Sequence, residues 1–147
     1  MTSGRRSEAV AINTDLYWQL GEHARLSYPN ECCGILFGSV ERSDKNRVAV
    51  VIPGDNLREE PGSHYGIDPM TLYRAEKTWA GRGYEVIGFY HSHPDCEAVL
   101  SEEDELKMVP EQIYLILSVD KTGCRGLRAW RKKDIETDAE ELEVKRA

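Results

Sequence analysis

With 147 residues, the chain has length for one domain that buries about two-thirds of the surface its unfolded form would expose, without metal or disulfide staples. Its 19 Lys and Arg stand against 26 Asp and Glu, a net charge of -7, which argues against a protein that holds phosphate backbones. No apolar run approaches the roughly 20 residues of a membrane span, and "MTSGRRSEAV" has charge with no apolar stretch behind it, so the expectation is a soluble, cytoplasmic protein with neither nucleic acid nor membrane as partner.

In chain order, residues 13–27 ("NTDLYWQLGEHARLS") offer Asn13, Thr14 or Asp15 as N-cap, and Leu16, Leu20, His23, Ala24 and Leu26 crowd one side, which predicts an amphipathic helix ending before Pro29. "ECCGILFGSV" and "NRVAVVIPG" are apolar, β-branched segments around the polar "ERSDKN", the pattern of a hairpin. Cys32 and Cys33 act there as small hydrophobes, and with Cys96 and Cys124 they are expected to be reduced, since adjacent cysteines are an awkward start for a disulfide framework. "DNLREEPGSHYG" lacks periodicity and reads as a long, functional loop.

"IDPMTLYRAEKTWAGRGY" opens a second helix with Asp68 as N-cap and Pro69 at the first helical position. Leu72, Ala75, Glu76 and Trp79 share a face, and Gly81 or Gly83 is the stop. "YEVIGFYHSH" is a strand, "SEEDELKMV" a short helix ended by Pro110, "EQIYLILSV" a fully buried strand and "RGLRAWR" another. The polar tail 132–147 is expected to fray unless Ile135, Leu142 and Val144 dock it. This order of elements points to an α/β or α+β sandwich around one mixed sheet, in one domain with its core over about residues 8–131.

The chemistry concentrates in "HSHPDCEAVLSEED". Side chains two apart on a strand share a face, so His91 and His93 project together with Ser92 opposite. Catalytic zinc commonly takes three protein ligands and a water, and Asp104, eleven residues after His93, is the best third donor nearby. On the residues alone the alternatives stay open: an HxH pair also arises on surfaces by chance, and Ser101 with Asp104 makes a serviceable capping pair.

The combination HSHP, six residues, Ser101, two residues and Asp104 resembles the JAMM, or MPN-plus, metalloprotease family. "YPNECCGILFG", "DN" at 55–56 and "HYGIDP" at 64–69 resemble further landmarks of the family, from about Glu8 to Arg131; Leu100 departs from a common proline. The resemblance implies an α/β sandwich of the JAMM/MPN, cytidine-deaminase-like architecture and one Zn2+ per chain, held by His91, His93 and Asp104 with a water in the fourth place. It makes Glu31 the general base and then acid, and gives Ser101 a hydrogen bond to the developing oxyanion; Ser92 is expected to be structural.

The absence of large insertions resembles the stand-alone prokaryotic subgroup. That implies a peptidase or isopeptidase cleaving after the C-terminal Gly-Gly of a ubiquitin-like sulfur carrier protein, releasing cysteine, a short tail or a linked lysine. Two other readings are a non-catalytic MPN-type interaction module, against which the intact ligand set stands, and a cysteine hydrolase using Cys96 with His93. His23 and His64 read as ordinary polar residues.

Overall fold

The computed structural model describes residues 8–41, 46–55 and 66–147. Most of the long loop at 56–65, with Asn56 and His64, and the tip of the first hairpin lie outside the described residues. Among the described residues, seven strands and three helices follow one another as β1 (Ala9–Ala11), α1 (Thr14–Ser27), β2 (Cys33–Ser39), β3 (Val50–Gly54), α2 (Pro69–Ala80), β4 (Tyr84–Pro94), α3 (Glu102–Leu106), β5 (Ile113–Asp120), β6 (Gly123–Arg131) and β7 (Glu140–Lys145).

The strands form one mixed sheet in the order β1-β7-β6-β5-β4-β2-β3. β4 and β5 run parallel, as do β1 and β7; the remaining neighbours are antiparallel. The sheet curls until its two ends touch, because the Ala11 amide donates to the Asn46 carbonyl and the Val48 amide to that of Ala11. This is the α/β sandwich the sequence predicts.

Each face of the sheet has its own core. Alternation along β5 sends Ile113, Leu115, Leu117 and Val119 under α1, against Leu16, Leu20 and Ala24, and Tyr114 to the other face with Phe89, Ile35, Phe37 and Met108. Leu72, Ala75 and Trp79 of α2 cover that second core. With both faces covered, β5 is buried along nearly its whole length, which is why its sequence is an unbroken apolar run.

Local chemistry sets the ends of the helices. The Asn13 side chain accepts from the Leu16 amide at α1, and Asp68 accepts from the Met70 amide with Pro69 at the first position of α2. Gly81 caps α2, and Gly83, at φ +88°, makes the turn into β4.

Several sequence expectations need correction. Leu26 is 71% exposed, since α1 turns it away from the sheet. α3 stops at Leu106, well before Pro110, because Lys107 caps it and Met108 tucks into the core. β1 was not expected, being three residues without periodicity. The tail does not fray: Leu142 and Val144 dock, Ile135 stays exposed, and β7 inserts between β6 and β1. Arg128 and Glu141 pair across the β6–β7 rungs, and Arg131 of β6 bonds Glu8 and Asn46. Among the described residues, no helix is long and apolar enough to cross a membrane.

Candidate metal centre

The strand period and the register of β2, β4 and β5 place the site. Phe89 points into the α2-side core and Tyr90 to the α1 side, so His91 and His93 emerge on the α2 side at the end of β4. Beyond Pro94 the chain turns through Asp95, at φ +57°, whose amide donates to the Val119 carbonyl at 2.7 Å. That turn brings α3 back over the strand end.

Ser101 starts α3 with a capping box: its Oγ accepts from the Asp104 amide at 3.0 Å, while Asp104 Oδ2 accepts from the Ser101 amide at 3.2 Å. The box that starts the helix thereby holds Asp104 against the histidines. His91 Nε2, His93 Nε2 and Asp104 Oδ2 form a triangle with each edge 3.2 Å. His91 and Asp104 are buried, and His93 opens the centre to solvent with 14% of its side chain exposed.

Three lone-pair atoms so close in a buried place call for positive charge between them: the hydrogen bond to Asp104 outweighs desolvation and raises the His93 pKa, with the Glu97 carbonyl and the Glu31 carboxylate adding to the rise. Burial works to raise the Asp104 pKa, yet bonds from His91 and His93 overcome it and hold the carboxyl far below its ordinary range.

The donor set fits zinc. A tetrahedral ion with bonds of about 2.0–2.1 Å spaces its ligand atoms about 3.3–3.4 Å apart, close to the edges seen. Nδ1 of His93 faces the Glu97 carbonyl at 3.3 Å; donating there leaves Nε2 with its lone pair toward the centre, the tautomer a metal ligand needs. This acceptor was invisible in the sequence because it is backbone. Among the described residues, His91, His93 and Asp104 are the one group of three able to hold a metal.

Glu31 lies just ahead of β2, whose Cys33 pairs with His91, and its carboxylate acts electrostatically on His93. Two links tie its segment to the ligand strand. Cys32 exchanges hydrogen bonds with Ser92, and the Tyr28 hydroxyl donates to the Asp95 carboxylate. Neither link was predicted, since a residue separation of 60 or more leaves no local signal.

The other candidates find ordinary places. His23 Nδ1 bonds the Tyr90 hydroxyl at 2.8 Å, and burial lowers its pKa. All four cysteines are free thiols. Cys96 is exposed, and the fold uses its carbonyl, which accepts from Ser118 Oγ at 2.5 Å.

Comparison with known proteins agrees with this geometry. The family model described as prokaryotic homologs of the JAB domain matches residues 13–133. The chain is 35% identical over 121 residues to the desampylase of Haloferax volcanii, covering 82% of this chain and 85% of that protein. It is 30% identical over 126 residues to the CysO-cysteine peptidase of Mycobacterium tuberculosis, covering 85% and 84%. A crystal structure of a JAB1/MPN domain protein from Archaeoglobus fulgidus superposes with a TM-score of 0.54 at 21% identity, covering 92% of this chain and 97% of that one, a likeness of fold. Family match, relatives, fold and ligand triangle converge: the chain belongs to the prokaryotic homologs of the JAB domain and is a JAMM-type hydrolase.

Proposed function

We propose that the protein is a zinc-dependent peptidase or isopeptidase that cleaves after the C-terminal Gly-Gly of a ubiquitin-like sulfur carrier protein. The observation that carries the chemistry is the 3.2 Å triangle of His91, His93 and Asp104; the electrostatic action of the Glu31 carboxylate on His93 supports its part. The carrier is supported by similarity to one relative named for CysO-cysteine and another named desampylase. The proposed setting is the cytoplasm, where free thiols persist.

His91, His93 and Asp104 would hold the ion, and zinc held there would supply Lewis acidity and lower the pKa of a bound water to about 7. Glu31 takes the proton of the attacking water and returns it to the leaving amine, which lets one carboxylate serve both halves of the reaction. Ser101 Oγ accepts the Asp104 amide, so its O–H hydrogen can donate to the oxyanion that develops on the scissile carbonyl. A Gly-Gly tail suits the approach, since it brings no side chains to obstruct main-chain contacts.

The experiment is to incubate the zinc-loaded protein with a carrier extended by cysteine, by a short peptide or by an isopeptide-linked lysine, beside matched carriers ending in Ala-Ala. Cleavage of the Gly-Gly forms alone is expected. Equal cleavage of the Ala-Ala forms, or none of any, contradicts the proposal.

A further inference from the structure

We infer that Ser92 and Tyr28 are positioning residues for Glu31, two clasps that fix its segment against the strand bearing His91 and His93. The inference rests on the proposed role of Glu31 as base. Glu31 directly precedes β2, whose pairing with β4 begins at Cys33, so the links on either side of Glu31 bear on its register with the centre.

The first clasp is the rung next to Glu31. β2 and β4 pair Cys33 with His91, and the following rung would join Cys32 to Ser92 through two backbone bonds. One of these forms as the ladder requires, from the Ser92 amide to the Cys32 carbonyl at 3.0 Å. The other does not. The Cys32 amide donates instead to Ser92 Oγ at 2.8 Å, so a hydroxyl takes the place of a ladder carbonyl.

Ser92 is 0% exposed and points to the face opposite the ligands, so its hydroxyl bears on the peptide that leads out of Glu31. An alanine there leaves a buried N–H to find another partner, which it does by moving the backbone that carries Glu31. Threonine keeps the acceptor.

The second clasp lies on the other side of Glu31. The Tyr28 hydroxyl, at the exit of α1, donates to both oxygens of the Asp95 carboxylate at 2.9 and 3.0 Å. Asp95 itself is pinned by its amide bond to Val119. Residues 28 and 32 are thus tied to residues 95 and 92, so the two clasps bracket Glu31 on one segment and His93 on the other. Since a displacement of about 1 Å in a reacting group can cost about 100-fold in rate, this bracket governs turnover without touching substrate.

The test measures single-turnover and steady-state cleavage of a Gly-Gly-extended carrier by Ser92→Ala, Ser92→Thr and Tyr28→Phe, each alone and combined with Glu31→Gln, with zinc content determined for all. Ser92→Ala should lower kcat about 10- to 100-fold with KM within about twofold and one zinc retained. Tyr28→Phe, a surface change that spares the fold, should lower kcat about 3- to 10-fold. Ser92→Thr should recover most of the loss.

In the Glu31→Gln background neither clasp variant should slow the residual reaction further, because its effect acts through the missing carboxylate. Unchanged kcat in both clasp variants overturns the inference, as does zinc loss from Ser92→Ala or the same loss of rate repeated without Glu31. Wild-type turnover by Glu31→Gln itself refutes the base assignment instead.

Discussion

At the scale of the residue, two side chains of the candidate centre, Asp104 and Ser101, also build the fold. Asp104 is both donor and half of a capping box, and Ser101 both cap and proposed oxyanion donor. The two roles of Ser101 separate by substitution. Glycine is nearly as good an N-cap, so Ser101→Gly should lower stability by only a few tenths of a kcal/mol in a thermal melt, while kcat falls about 100- to 1000-fold. Loss of stability in step with activity would assign the hydroxyl to capping alone.

On the proposed function, protons and zinc compete for the same triangle, and the sign of that competition can be measured. His93 is raised above its ordinary 6.5, so its stabilising contribution in metal-stripped protein is complete below that value and fades as pH climbs through the raised one. Asp104 is depressed below its ordinary 3.8, so its contribution holds above that and fades only as pH falls through the depressed value. Burial of His23 acts with the opposite sign, so the effect is read as a difference: metal-stripped wild type should lose its melting advantage over metal-stripped His93→Gln as pH rises from about 6 to about 8. Zinc-loaded protein should melt higher over the same range, since zinc binding displaces a proton from His93.

At the scale of the element, close backbone approach decides what the strands can carry. A Cβ on Gly34 would lie 2.2 Å from Cε1 of Tyr90, the residue before His91, whose hydroxyl is already held by His23. Gly34→Ala should destabilise the fold by about 1–3 kcal/mol in denaturant titration and weaken zinc retention, because Tyr90 cannot move without disturbing His91. Zinc affinity that stays intact would show the strand end absorbing the strain.

Much of this was legible in the sequence. The helix starts at Asn13 and Asp68 announce themselves by capping chemistry, β5 by its apolar run, and the ligand pair by the strand period. What was not legible is long-range: the Tyr28–Asp95 and Cys32–Ser92 links join segments 60 or more residues apart, and β1 and β7 are short or polar strands given meaning by their partners. Glu31 was reached through resemblance, since a lone glutamate before a strand carries no pattern of its own.

At the scale of the whole molecule, the curled sheet joins the ends of the chain to its middle. β7 pairs with both β6 and β1, the Ala147 amide donates to the Ile12 carbonyl, and the segment before β3 bonds β1. The polar tail is therefore structural, and Leu142→Ala, at a site only 5% exposed, should cost about 2–5 kcal/mol in denaturant titration. A near-neutral result would make β7 dispensable. The candidate metal centre stands at one end of this curled sheet, where β2, β4 and α3 converge.

The account as a whole is tested most directly by mass spectrometry of a Gly-Gly-extended carrier incubated with metal-stripped protein as zinc is restored stepwise. The account predicts a carrier ending in Gly-Gly that appears in proportion to zinc and saturates at one ion per chain. Full cleavage before any zinc is returned, or a cut at another bond, would contradict it.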